Sequence, residues 1–318
     1  MKNSPIIILA GEPQSIFFEI FFKSLKLKNF KSPFVLVTSF KLLKNEMKKN
    51  KFKKDIKIIN LTDLRKNNLS NKMLNCINVN HDDNKIPKHK TKAYIKNCFD
   101  VSFKILKMGL SYKFINGPIN KSTFLEKKYL GVTEYISSKF RIKKFAMLIY
   151  NNDLSVCPLT THLPLKLVSK NIKQKLIIEK AKLINDFFKK NFGFKPSIGV
   201  LGLNPHCESI SKFNEDKKII SPAVKSLKRI GLRINGPYSA DTIFLKQNRK
   251  KFNVILGMYH DQVLSPIKTL KEYDAINITL GLPFLRVSPD HGPNKKMINK
   301  NLSNPLSLFN AINFLDQR

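Results

Sequence analysis

Short apolar, β-branched runs alternate along this chain with longer stretches whose apolar residues recur every three or four positions. Runs at 5–10, 34–38, 114–118, 145–150, 154–158, 197–203, 253–258, 275–280 and 284–287 predict strands. Each is a brief apolar segment bounded by turn formers, which fits a strand buried on both faces. Further short apolar runs occupy 56–61 and 73–79. Stretches at 15–27, 91–108, 165–190, 222–229 and 305–316, and a lysine-rich one beginning at Phe40, predict helices. Within 91–108, Tyr94, Cys98, Val101 and Ile105 step by four, three and four, which keeps them on one face. Residues 81–89 are polar, contain Pro87 and predict an exposed loop. This alternation predicts the α/β class, with largely parallel sheets covered by helices.

Three of the six histidines sit at one kind of place, the end of an apolar run beside residues that stop regular structure. They are His162 in Leu159-Thr-Thr-His-Leu-Pro-Leu165, His206 in Gly202-Leu-Asn-Pro-His206, and His260 in Gly257-Met-Tyr-His-Asp-Gln262. In open α/β sheets the loops after strand ends bind ligands. Three neutral imidazoles gathered there make a divalent-metal site with positions open to substrate. Each histidine alone would equally serve to cap a strand or bond a turn, and the spacing is not a local zinc motif. Asp241 and Asp261 are carboxylates that could fix imidazole tautomers from behind. Cys207 follows His206, but nothing near it in sequence makes a thiolate pair.

Anion handles follow the last of these histidines. Lys268, Asn277 and Arg286 lie just beyond His260, and Arg286 ends an apolar Gly-Leu-Pro-Phe-Leu run. An arginine there can grip a phosphate or carboxylate with two parallel hydrogen bonds, or stand on the surface of an edge strand. Thr133, in Gly131-Val-Thr-Glu134, offers a hydroxyl and a backbone N–H to a phosphate at a helix start. A plain helix N-cap is its other reading.

Composition narrows the partners. The chain has 318 residues, enough for one large or two medium domains, and no apolar run reaches the ~18–20 residues of a membrane span. The first apolar run is shorter than a signal-peptide core and reads as a first strand. Four cysteines with no CxxC pair fit a reduced, cytoplasmic protein. The formal charge is +36, but 51 of the 58 basic residues are lysines spread through the whole chain. Specific nucleic-acid readers favour arginine, so a nucleic-acid partner is disfavoured and the charge fits solvated surfaces. It would also attract phosphorylated substrates. Among only twelve glycines there is no GxGxxG and no GxxxxGK[ST], so a conventional dinucleotide or P-loop site is not expected.

Several motifs then occur together and in order: Asn116-Gly-Pro-Ile-Asn-Lys121, Gly131-Val-Thr-Glu134, Thr160-Thr-His-Leu-Pro-Leu165, Leu203-Asn-Pro-His206, Gly236-Pro-Tyr-Ser-Ala-Asp-Thr242, Met258-Tyr-His-Asp-Gln262, Ile276-Asn-Ile-Thr-Leu-Gly-Leu-Pro-Phe-Leu-Arg286 and Asp290-His-Gly292. In these the chain resembles the 4-hydroxythreonine-4-phosphate dehydrogenases of vitamin B6 biosynthesis, from the first strand to about Gly292. The resemblance implies an isocitrate/isopropylmalate dehydrogenase-like fold of two α/β/α subdomains, about 1–130 plus 277–318 and 131–276, with the active site in the interdomain cleft. It implies a homodimer with a shared active site. His162, His206 and His260 would then hold a divalent metal (zinc, magnesium or cobalt), and Thr133, Lys268, Asn277 and Arg286 would bind substrate. The implied reaction uses NAD, or NADP, to oxidise the C3 alcohol of 4-phosphooxy-L-threonine. The β-keto acid formed loses CO2 to give 3-amino-2-oxopropyl phosphate.

Two departures bear on the substrate. Val132 stands where the family has a histidine before the threonine. The first loop reads Gly11-Glu-Pro-Gln-Ser-Ile-Phe-Phe-Glu19, against a family loop that is richer in glycine. A sister dehydrogenase of another phosphorylated hydroxy acid, 4-phospho-erythronate or threonate 4-phosphate, is therefore the alternative. An inactive polyanion-binding protein on the same fold is the alternative of a different class. For a homodimer of such basic chains, the segment 110–124 is the expected contributor to the interface.

Overall fold

The computed structural model describes residues 4–66, 69–81, 88–126, 128–210, 213–289 and 292–318; Asp290 and His291 of the last motif lie outside them, as do 82–87 of the expected loop. Twelve strands run in chain order among the described residues: β1 (Ile6–Leu9), β2 (Phe34–Thr38), β3 (Ile56–Ile58), β4 (Leu74–Asn78), β5 (Lys113–Asn116), β6 (Ala146–Tyr150), β7 (Ser155–Pro158), β8 (Ile198–Leu201), β9 (Ile234–Tyr238), β10 (Val254–Gly257), β11 (Ile276–Leu280) and β12 (Leu285–Pro289). The chain forms two compact units, Met1–Val132 with Pro283–Arg318, and Thr133–Leu282. Both are mixed α/β. The return to the first unit falls after Leu282, not at 277, because β11 pairs antiparallel with β6 along its whole length.

In the first unit the strand order is β3-β4-β2-β1-β5-β12, and its pairs are parallel. Strands of such sheets are buried on both faces, which is why β1 reads Ile-Ile-Ile-Leu and β2 Phe-Val-Leu-Val-Thr, all buried. From β1 the chain builds outward on one side to β2 and on the other to β5, so β1 and β5 flank the point where the strand order reverses. There the loops after the two strands meet backbone to backbone. A Cβ on Gly117 would lie 2.2 Å from the Ala10 carbonyl oxygen, and one on Gly11, at φ 84°, would lie 2.4 Å from that of Pro118.

The bulk gained in the first loop goes into the core. The helix there is Phe17–Leu27, and Phe17 is fully buried and stacks on Phe21 at 5.7 Å. Much of the segment 110–124 is covered as well. β5 is buried throughout, between β1 and β12, while Lys121 and Ser122 further along the segment are exposed. It even buries a lysine. Lys113 is fully covered and donates from Nζ to Ser32 Oγ at 3.0 Å. Burial holds its amine below the usual lysine range, opposed by the charge of Asp316. Asp316, in the C-terminal helix Leu306–Asp316, accepts the backbone N–H groups of Lys31 (2.9 Å) and Ser32 (2.6 Å).

In the second unit the order is β11-β6-β7-β10-β8-β9. β7, β10, β8 and β9 run parallel, while β6 pairs antiparallel with β7 and β11. Met147, Ile149, Val156, Leu201, Ile255 and Val263 centre its core. The expected helical stretch 165–190 is broken into a 3-10 turn (Leu165–Leu167), a short helix (Val168–Asn171) and a long one (Gln174–Phe192). β9 was not expected, because Asn235-Gly-Pro interrupts its apolar pattern. It lies at the end of the strand order, where a proline costs no central ladder bond.

Candidate functional site

The three histidines follow the carboxyl ends of three neighbouring parallel strands, His162 after β7, His260 after β10 and His206 after β8. Beyond the strand ends β7 and β10 stay laced together. Leu159 N–H donates to the Gly257 carbonyl (2.7 Å), and both the N–H and the hydroxyl of Thr160 donate to the Met258 carbonyl, at 3.2 and 2.8 Å. This pairing carries His162 and His260 side by side, with ring centroids 5.8 Å apart and planes at 38°.

His260 is the first residue of the helix His260–Lys271, after an extended Tyr259. Gln262 sets that start. Buried, it accepts the Met258 N–H at 2.7 Å and donates from Nε2 to the Gly202 carbonyl at 2.8 Å, tying the loop after β10 to the loop after β8. Asp261 lies in the first turn, where the helix dipole favours a negative charge. Its Oδ1 is 2.7 Å from His260 Nδ1. A carboxylate only accepts, so the neutral ring carries its proton on Nδ1 and keeps a lone pair on Nε2. A carboxylate approaches the same ring atom of His162 without bonding to it, Glu134 Oε1 lying 3.9 Å from Nδ1. That oxygen accepts the Thr161 hydroxyl at 3.1 Å. Burial raises the Glu134 carboxyl, but His162, its own backbone and Thr161 outweigh this and hold it below the usual range.

His206 is placed differently. It is exposed, and it and Cys207 both have left-handed backbones, at φ 54° and 60°. Asp216 clamps the loop, accepting the Leu203 N–H (2.7 Å), the Asn204 N–H (3.3 Å) and the Asn204 amide (2.8 Å). Asp241, exposed in the short helix Ala240–Ile243, accepts the Ser239 hydroxyl at 2.5 Å. That bond chiefly, with the charge of His206 among lesser causes, holds its carboxyl below the usual range. Among the described residues no three His, Cys, Asp or Glu side chains gather closely enough to hold a metal. The chain therefore preforms a pair, His162 with His260, and does not add His206 to it.

The anion handles separate between the units. Thr133, Lys268 and Asn277 belong to the second, Arg286 to the first. Thr133 is buried as the second residue of the helix Val132–Lys139, inside its first turn and not its cap. Lys268 lies half-buried two turns along the helix that His260 begins. Asn277 is on β11, and its Oδ1 is buried with no hydrogen-bond partner. Arg286 is 2% exposed, so it is no surface arginine. Its Nε donates to Asn116 Oδ1 at 2.8 Å.

Glu134, Gln262, Asp216 and Asn116 were not singled out from the sequence for these contacts. Three stand in or beside quoted motifs, and the motif itself was the available signal. Asp216 stands in none. Lys180, on the helix Gln174–Phe192, is a buried amine that donates to the Phe145 carbonyl and lies 5.1 Å over the Phe145 ring. Burial lowers its amine, opposed by Cys157, Glu134 and Glu179.

The profile of the family described as pyridoxal phosphate biosynthetic protein PdxA matches residues 29–315. A 4-hydroxythreonine-4-phosphate dehydrogenase of Sulfurihydrogenibium sp. (strain YO3AOP1) is 36% identical over 313 residues, covering 96% of each chain. One from Aquifex aeolicus is 40% identical over 204 residues, 63% of this chain and 62% of its own. A crystal structure of 4-hydroxythreonine-4-phosphate dehydrogenase from Klebsiella pneumoniae superposes with a TM-score of 0.82 at 26% identity, covering 98% of both chains.

Proposed function

The chain belongs to the family of pyridoxal phosphate biosynthetic proteins PdxA, and on that premise we propose that it is a cytoplasmic, metal-dependent NAD oxidoreductase acting on 4-phosphooxy-L-threonine. The reaction takes the C3 alcohol to a ketone, with hydride passing to NAD (or NADP). The β-keto acid then loses CO2 and leaves 3-amino-2-oxopropyl phosphate.

The observation that carries this reading is the histidine pair. His162 and His260 lie ring to ring at 5.8 Å, and Asp261 on Nδ1 of His260 leaves Nε2 as an electron-pair donor. Two neutral imidazoles with carboxylates behind them are a donor set that suits zinc, cobalt or magnesium only as half of a site, and it fits zinc or cobalt best. His206, exposed on a clamped loop, is the third donor, and the set is completed across a homodimer in which each copy supplies His206 to the other. When bound, such an ion lowers the pKa of the substrate alcohol and stabilises the negative charge that forms as CO2 leaves.

The chain's own groups hold the substrate. The Lys268 ammonium offers charge-assisted hydrogen bonds to its phosphate, and Thr133 a hydroxyl and a helix-start N–H. The unpartnered Asn277 Oδ1 accepts a hydrogen bond from a donor group such as the amine. Arg286, oriented through Nε by Asn116, recognises an anionic group. Asp241 keeps negative charge near His206.

One observation favours a second reading. Val132, half-buried beside Thr133, offers no hydrogen bond where the family has a histidine. A sister dehydrogenase acting on 4-phospho-erythronate or threonate 4-phosphate accommodates that change. Measuring NADH formation from each substrate decides between them. Preference for 4-phosphooxy-L-threonine by kcat/KM supports the main reading, and preference for either acid overturns it. Salt-sensitive nucleic-acid binding with no NADH from any of them would leave an inactive polyanion binder.

A further inference from the structure

Glu134 sits in the first turn of the helix Val132–Lys139, its side chain largely buried at 17% exposure. One oxygen, Oε2, is buried with no hydrogen-bond partner. The other accepts the Thr161 hydroxyl at 3.1 Å and lies 3.9 Å from His162 Nδ1. The carboxylate thus addresses two consecutive residues of the loop after β7. An acid this covered is costly unless something uses its charge. Lys180 supplies part of the answer, since the Glu134 charge raises the proton affinity of that buried amine. The other part is the imidazole. His260, the partner ring, already has a carboxylate on Nδ1. Glu134 stands at the same atom of His162.

We infer that Glu134 is a positioning residue: it takes the Nδ1 proton of His162 into a hydrogen bond and so leaves Nε2 of that ring as the donor nitrogen. At 3.9 Å the contact is too long to be a hydrogen bond as it stands. Such bonds often tighten only when the ligand arrives. His162 and His260 then form a matched pair, each locked in one tautomer by its own acid, from Glu134 on a helix and Asp261 on the adjoining residue. Partners of this kind orient the ring and raise its basicity. The inference rests on the metal-site reading of His162.

Two measurements on the full-length protein test it. Long-range 1H–15N correlation on histidine-labelled, metal-free protein at pH 8.5 reads the tautomer of His162, whose signals are assigned with His162→Gln. The Nδ1–H form is expected in the parent, and the Nε2–H form there would overturn the inference. Calorimetric titration with Co2+ reads the consequence. Glu134→Gln keeps the shape and can still accept from Thr161, and it should bind Co2+ about 10–100-fold more weakly than the parent. Thr161→Val should bind within about threefold of it, because the hydroxyl serves the loop and not the ring. If Glu134→Gln binds as tightly as the parent while His162→Ala does not, the positioning role is wrong and the metal site stands. If His162→Ala also binds as tightly, the metal site itself falls and the inference with it.

Discussion

Arg286 donates its Nε–H to Asn116 Oδ1 at 2.8 Å, between two buried side chains on neighbouring parallel strands. The bond fixes the plane of the guanidinium, and with it the direction in which the rest of the fork can meet an anion. Arg286→Lys keeps the charge but loses that plane. KM for the phosphorylated substrate should rise by about tenfold or more, with a smaller change in kcat. Steady-state kinetics on Arg286→Lys and Arg286→Ala check this. A parent-like KM in Arg286→Ala contradicts the role.

Glu12 follows β1 in the first loop and is 7% exposed. Burial raises its carboxyl above the usual 4.5, against lowering contributions from the Asn120 N–H and Lys295. A carboxyl raised in the folded state holds its proton longer there than when unfolded. Its favourable contribution is complete below 4.5 and is lost as pH rises through the folded value. Glu12→Gln should therefore raise Tm at pH 7 and leave it nearly unchanged at pH 4. Melting curves at the two pH values test this, and an equal effect at both contradicts the burial argument.

Asp316 and Lys113 make an opposite pair of substitutions. Asp316→Ala strips the acceptor from the Lys31 and Ser32 N–H groups and removes the charge opposing the burial of Lys113. It should cost about 3–5 kcal/mol in chemical denaturation. Lys113→Met puts an apolar chain of similar length in the same space and should be close to neutral.

The strands and the two histidine loops were legible because parallel strands are continuous apolar runs and β7 and β10 end abruptly at Pro158 and Gly257. That the loops after β7 and β10 would run together was not, since it depends on strand order. Glu134 is separated from His162 by a whole strand pair, and only folding sets them side by side. For Arg286 the sequence allows an anion grip or the surface of an edge strand, because its five neighbours describe burial of the strand and not the path of its own side chain. β9 was lost to its Gly-Pro step. The apolar part of the segment 110–124 is β5, which is buried within the chain itself.

The shared metal site predicts complementation between inactive subunits. His162→Ala and His206→Ala proteins should each lose turnover by orders of magnitude. Refolded together in equal amounts, half of the dimers would be mixed, and each mixed dimer would have one intact site. About a quarter of parental activity should return. No recovery despite demonstrated mixing by mass spectrometry would place all three ligands within one chain.

The central claim, that turnover runs through a metal held by His162, His260 and His206, is tested most directly by NADH formation from 4-phosphooxy-L-threonine before and after chelation. Enzyme dialysed against a chelator should form NADH at least about a thousandfold more slowly, and stoichiometric Zn2+ or Co2+ should restore the rate. Full turnover in enzyme shown by elemental analysis to be metal-free would contradict it.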